Sequence, residues 1–275
     1  KEAIDRGKEL GIDTIICDHH VMPKELPEQA ILIHSLVPGE TYPNKHLCGT
    51  SVAFKFASAL IIDARKRGAD LPEGHEKWLL DLVAIATVTD MMPLTGENRV
   101  LEKYGLLVLN KTKRVGLKEL VEVSGGKWGE LDTFSVGFQI GPRLNAAGRM
   151  NHADEALHLL LEEDAAKAKA LADALQQTNN QRRSASDAMY KEALEMVGDI
   201  GEKKLIILFK EDWSPGLVGL VAGKLVSKFC LPVFVFGKVE EKFVGSGRSV
   251  NGFDITKAMQ EASEYLDRFG GHPQA

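Results

Sequence analysis

From about residue 164 to residue 197 the chain runs without a glycine or a proline, and Gly198 closes the stretch. It is dense in Ala, Lys, Glu and Gln, which enter a helix at little cost, so one long exposed helix is expected there. Such an element is a natural connector between domains, and 275 residues are enough for two. The expected division is therefore 1–163, a connector over 164–198, and 199–275.

Before the connector, Ile4, Gly7 and Leu10 share one helical face and Gly11 stands where a helix would be capped. The β-branched run Thr14-Ile15-Ile16-Cys17 reads as a buried strand, and Asp18-His19-His20 follows it directly. Ligand groups in open parallel α/β sheets gather just outside the carboxyl ends of strands. The helix-strand start is thus expected to lie in the middle of such a sheet. A loop containing Pro23, Pro27, Pro38, Gly39 and Pro43 leads to a helix over 51–67, with Phe54, Ala57, Leu60 and Ile61 on its apolar face. A second helix begins near Glu76, repeats Leu79, Leu82, Val83 and Ala86, and stops before Pro93 with Asp90 at its terminus. Past the connector, strands over 204–210, 232–236 and 242–244 and helices over 216–228 and 254–268 make a small second α/β domain.

Composition removes several function classes. With 44% hydrophobic and 27% charged residues the chain reads as soluble and globular. No stretch approaches the roughly 20 apolar residues of a membrane span, and no secretory signal opens the chain, so no membrane partner and a cytoplasmic setting are expected. Cys17, Cys48 and Cys230 are scattered and form no CxxC pair, which argues for reduced core residues instead of a disulfide framework or a zinc site. A net charge of -5 argues against coating nucleic acid through bulk positive potential; any nucleic-acid site must be local. The opening Lys1 and the ending Gly270-Gly271-His272-Pro273-Gln274-Ala275 read as cut ends.

Four places along the chain carry chemistry. Asp18-His19-His20 offers a carboxylate beside two imidazoles, able to supply metal ligands, an acid or base, and the partner that fixes a histidine tautomer; alternatively it begins a polar loop. An acid at a helix C-terminus opposes the dipole, so Asp90 sits there against a mild electrostatic cost. Arg143, Asn145 and Arg149 stand among small residues that let a phosphate come close, and arginine suits bidentate phosphate contact. Ser246-Gly247-Arg248-Ser249 follows a strand and combines two hydroxyls with a guanidinium, a set suited to gripping a terminal phosphate. His272 either joins that pocket or is a turn residue satisfied by backbone. Residues 219–224 fall short of a P-loop, which would need Gly at Val218 and Ser or Thr at Leu225. No aromatic platform for base stacking is evident.

Six segments appear in the order found in RecJ-type exonucleases of the DHH phosphoesterase superfamily: 11–20, 47–55, 87–94, 141–149, 246–249 and 270–275. The chain resembles that family over nearly its whole length. The resemblance implies an α/β fold, with a partial parallel-sheet DHH domain joined by the long helix to a smaller α/β DHHA1 domain. It implies metal-dependent hydrolysis of single-stranded DNA from a 5′ end in recombination and repair, using a two-metal site for Mn²⁺ or Mg²⁺. His19 and Asp90 are the implied metal ligands, His20 faces the scissile phosphate, and Asp18 orients a histidine. Arg143, Asn145, Arg149, Ser246, Arg248, Ser249 and His272 are the implied substrate contacts, while Ser214 stands where many relatives carry His and receives no role. The family's other carboxylate motifs lie N-terminal to the DHH triplet and cannot fit before Asp18, so the metal site is expected to be incomplete, which puts the activity of this fragment in doubt. A single-strand binding protein and a helicase are the implied protein partners. Two alternatives stay open: a DHH phosphoesterase acting on oligoribonucleotides, nucleotide bisphosphates or cyclic dinucleotides, and a non-catalytic DHH scaffold.

Overall fold

A computed structural model describes residues 2–20, 22 and 25–275. Lys1 and Pro23, named above as chain start and loop former, lie outside the described residues. Two compact units form, Lys1–Pro142 with His158–Asp173, and Arg143–Leu157 with Ala174–Ala275. The expected connector is one helix shared by both units, and the segment from Arg143 to Leu157 groups with the second.

In the first unit α1 (Glu2–Glu9) ends at Gly11, whose φ of 71° is the left-handed conformation expected of that cap. Next come β1 (Thr14–Cys17) and β2 (Ala30–Ile33), which pair in parallel with Cys17 opposite Ile33. β2 was hidden in the proline-rich stretch, although Ala30-Ile31-Leu32-Ile33 is itself an apolar, β-branched run. The strands are less covered than expected: Ile15 is 46% and Ile31 62% exposed, so only one face of this two-stranded sheet is packed.

The core of the unit is helical. α2 (Gly49–Lys66) packs on α3 (Leu80–Thr89), which follows a 3₁₀ turn over His75–Leu79. Phe54 lies against the core, but Leu60 is exposed, so the inward face of α2 is narrower than expected. Helix α3 buries residues on every side, among them Val83, Ala84 and Ile85, and is the central element. Its one buried carboxylate, Asp81, accepts from Thr112 Oγ1 at 2.7 Å and Arg114 Nε at 3.1 Å. α4 (Gly96–Leu109) crosses α3 closely because Gly105 has no side chain; a Cβ there would lie 2.7 Å from the Leu80 carbonyl oxygen. α5 (Val115–Ser124) comes next, and then a π-helical turn, Ser135–Ile140, leads into α6 (Gly141–Met150). The motif at 141–149 is therefore helical. Phe134 and Phe138 stack on this turn with ring centroids 4.7 Å apart, both exposed, an aromatic pair that no sequence pattern announced.

α7 (Asp154–Leu161) precedes α8 (Ala165–Val197), which starts where expected because Asp164 Oδ1 accepts the Lys167 N–H at 2.9 Å. It is not exposed throughout: Ala168, Ala172, Leu175, Met189, Ala193 and Val197 form a buried stripe.

In the second unit, β3 (Ile206–Phe209) runs parallel to β4 (Val233–Val239), and β5 (Lys242–Arg248) runs antiparallel to β4. α9 (Pro215–Phe229) covers β4 and β5, burying Leu217, Val218, Val221 and Leu225 against Val233 and Val235. α10 (Ile255–Glu261) begins at Asp254, whose side chain accepts from the Thr256 and Lys257 N–H groups, and it ends before a 3₁₀ turn over Ser263–Tyr265, short of the expected 268. The architecture is α/β, as expected. Cys48 is buried, but Cys230 is exposed at the left-handed end of α9, so it is not a core residue.

Candidate active site and arginine face

The end of β1 and the end of α3 meet in the first unit. His19 Nε2 lies 3.3 Å from Asp90 Oδ2, with the imidazole mostly buried and the carboxylate 47% exposed. That separation exceeds the about 2.7–2.9 Å of a charge-assisted hydrogen bond and leaves two potential metal-ligand atoms, one nitrogen and one oxygen, side by side. Gly49, at the start of α2, lets the His19 ring settle: a Cβ there would come within 3.3 Å of its Cδ2.

Asp18 faces the other way. Its Oδ1 accepts the His19 N–H at 2.7 Å, the His20 N–H at 3.3 Å and His20 Nδ1 at 2.7 Å. Burial alone raises the Asp18 carboxyl, but the His20 ring and the two backbone donors outweigh it and hold the pKa below the usual carboxylate value. With Nδ1 bound to Asp18, His20 presents Nε2 outward. The triplet opens the loop after β1 with its backbone donors gathered onto Asp18 Oδ1.

Asp90 is held by a device that the sequence conceals. The Met91 N–H donates to Val88 O and the Met92 N–H to Thr87 O, both at 3.1 Å, closing α3 in a Schellman motif. The left-handed position belongs to Met91, with φ of 56°, where glycine is the usual residue. Asn98, 1% exposed, donates to Pro93 O at 3.1 Å and to His46 O at 2.7 Å, tying the segment after Asp90 to the segment entering α2.

A divalent cation of the Mg²⁺ or Mn²⁺ class takes about six, mainly oxygen, ligands. His19 and Asp90 supply one nitrogen and one oxygen, which fits part of such a shell. No group of three or more His, Cys, Asp or Glu side chains able to hold a metal occurs among the described residues.

The expected substrate contacts lie in the second unit. On β5, Ser246 and Arg248 project to one face and Gly245 and Gly247 to the other, as strand alternation requires. Gly247 must be bare, since a Cβ would meet Ile255 at 2.7 Å and the Phe234 ring at 2.9 Å. Arg248 Nη1 donates to Ser246 Oγ at 2.8 Å, and both side chains lie over Gly219 in α9. Arg149 Nη1 reaches Gly216 O, at 3.1 Å, in the first turn of the same helix. The start of α9, with its outward N–H groups and positive dipole end, is thus flanked by two guanidiniums.

Further arginines crowd in. Burial lowers the pKa of Arg248, and Arg149 adds to the effect; burial likewise lowers Arg143, reinforced by Arg183 and Arg182. Arg182 is depressed by burial, then by Arg149 and Arg183. Arg143 Nε donates to Gln176 Oε1 at 2.6 Å, and Arg182 Nη2 to Asn179 Oδ1 at 3.0 Å. Cations held this close favour a multivalent anion. Arg182 and Arg183 were missed; their adjacency on the polar run of α8 was the available signal. Asn145 is exposed on α6. Ser249 and His272 sit in turns: Ser249 Oγ donates to Phe253 O at 2.8 Å, and the His272 carbonyl accepts from Thr256 Oγ1 at 2.8 Å. No helix among the described residues is long and apolar enough to cross a membrane.

Comparison with known proteins gives a consistent set of likenesses. Residues 202–275 match the DHHA1 domain. The single-stranded-DNA-specific exonuclease RecJ of Bacillus subtilis is 46% identical over 98% of this chain, which covers 33% of that protein. The RecJ of Thermus thermophilus is 34% identical over 97% of the chain, covering 37% of its own length. The crystal structure of RecJ in complex with Mn²⁺ from Thermus thermophilus superposes with a TM-score of 0.83 at 33% identity, over 97% of this chain and 38% of that one. A structure of exonuclease RecJ bound to manganese gives a TM-score of 0.78 at 33% identity, over 99% of this chain and 66% of that one. The chain spans about a third of the length of the first of these relatives.

Proposed function

Because this chain belongs to the RecJ family, we propose that the full-length protein hydrolyses phosphodiester bonds in single-stranded DNA, from the 5′ end, with Mn²⁺ or Mg²⁺. The observation that carries the reading is the meeting of His19 Nε2 and Asp90 Oδ2 at 3.3 Å from two separate elements. His19 and Asp90 hold part of the ion shell, and the remaining carboxylates come from elsewhere in the full-length protein. When bound, divalent ions would favour attack by water and neutralise charge building on the phosphoryl group. Asp18 fixes the His20 ring through Nδ1, so that Nε2 is offered to the phosphate undergoing attack.

Arg149, Arg248 and Ser246, at the start of α9, grip the terminal phosphate; Arg143 and Asn145 on α6 contact the following strand. Ser249 and His272 shape the turns that border this face. An anchored end restricts which phosphodiester can reach the ions, and polarity follows from that restriction. In this reading residues 1–163 carry hydrolysis, 164–198 connect, and 199–275 bind substrate, with α6 serving the binding side. The setting is cytoplasmic recombination and repair, in company with a single-strand binding protein and a helicase.

The test is degradation of a 5′-phosphorylated single strand by the full-length protein and its Asp90→Asn form. Loss of Mn²⁺-dependent release of nucleotides in Asp90→Asn, with oligonucleotide binding retained, is the expected result. Undiminished turnover would remove Asp90 from the site.

A further inference from the structure

We propose that His34 is a positioning residue for His20, acting through the backbone and resting on the hydrolytic reading above. No sequence pattern marks His34. It comes directly after β2, and the register of the sheet brings it to the triplet: Cys17 pairs with Ile33, and the Asp18 N–H donates to Ile33 O at 3.3 Å. The residue after Ile33 therefore lies beside the turn that leaves β1.

There it is 7% exposed and uses both ring nitrogens. Nε2 lies 2.8 Å from His20 O, and Nδ1 lies 3.0 Å from the Leu36 backbone nitrogen. A backbone N–H can only donate and a carbonyl can only accept. The partners thus assign the hydrogen to Nε2 and the lone pair to Nδ1. The Val37 N–H closes the same turn onto His34 O at 3.3 Å, and Lys45 Nζ braces it through Ser35 O at 2.8 Å.

Asp18 leaves one end of the triplet turn unfixed. Its carboxylate gathers the His19 and His20 N–H groups and the His20 ring, all within three consecutive residues. Those bonds set the internal shape of the turn but do not fasten its far end to the sheet. The His34 to His20 bond does so, from the neighbouring strand. The aim of the His20 ring then depends on a group that touches neither ion nor substrate, which is how supporting residues tune a site.

Three variants of the full-length protein separate this role from local turn-building. Glutamine can keep a donor near the Nε2 position, asparagine keeps an acceptor near Nδ1, and alanine keeps neither. With Mn²⁺ and a 5′-phosphorylated single strand, His34→Ala and His34→Asn should lower kcat about 10- to 100-fold with KM little changed, while His34→Gln recovers most of the rate. The ¹⁵N spectrum of the metal-free parent protein should place the His34 hydrogen on Nε2. Equal losses in His34→Asn and His34→Gln, an alanine variant within twofold of the parent, or hydrogen on Nδ1 would each overturn the inference. A parent protein that shows no metal-dependent hydrolysis overturns the nuclease reading and the catalytic role with it, and the spectrum, which needs no turnover, tells the two failures apart.

Discussion

Glu102 lies on α4 beside Leu101, is 4% exposed, and has no partner for either carboxylate oxygen among the described residues. Burial pushes its pKa from 4.5 up to about 7. The folded carboxyl keeps its proton to higher pH than the unfolded one, so the native state binds more protons between these values and stability falls as pH rises through that window. At about 1.36 kcal/mol per decade, the destabilisation grows from nothing below pH 4.5 to about 3 kcal/mol above pH 8. Glu102→Met retains an unbranched side chain of similar length and removes the charge. Urea unfolding of variant and parent at matched pH, compared as differences so that other titrating groups cancel, should show the variant more stable by about 2–3 kcal/mol at pH 8.5. At pH 4.5 the two should agree within about 1 kcal/mol, the range of a conservative apolar replacement. A difference independent of pH, or one that grows in acid, would refute the reasoning and mean that the folded protein holds Glu102 ionised.

Met91→Gly should stabilise the first unit by about 1 kcal/mol, because the left-handed φ disfavours a side chain; a fall in melting temperature would show that the Met91 side chain makes compensating contacts. Gly116→Ala should destabilise by about 3 kcal/mol or more, since its Cβ would fall on the Leu159 carbonyl; unfolding at an unchanged denaturant midpoint would contradict that packing. Arg248→Ala should weaken binding of a 5′-phosphorylated single strand at least tenfold, about 1.4 kcal/mol, and leave Mn²⁺ affinity unchanged. Equal loss of both in parallel titrations would make the residue structural.

Where periodicity and capping chemistry agreed, the fold was legible. α8 starts at Asp164 because a carboxylate caps it, and α1 stops at Gly11 because glycine accepts the left-handed turn. β2 was obscured because flanking prolines suggested a loop, although pairing with β1 supplies the hydrogen bonds that four apolar residues need. The first unit's candidate residues were recognisable as a motif, yet the motif did not specify that Asp18 would engage His20 while His19 turned to Asp90. That division depends on the bare α-carbon of Gly49 and on a helix terminus closed by Met91. His34, Arg182 and Arg183 escaped because each is ordinary in sequence. Their significance comes from strand register or from the convergence of α8, α6 and β5 within the second unit, which no local pattern encodes.

A π turn is an α-helix with one residue too many, and the turn over Ser135–Ile140 leads straight into α6. Its i→i+5 hydrogen bonds take up the extra residue as a local widening, so the α-helical advance of about 100° per residue resumes after the turn as if that residue were absent. The bare α-carbon of Gly141 therefore stays seated against Thr89, where a Cβ would come 2.4 Å from Thr89 Cγ2. Composition at Gly141 is therefore constrained more tightly than the length of the wide turn before it, which an ordinary α-turn could close with one residue fewer.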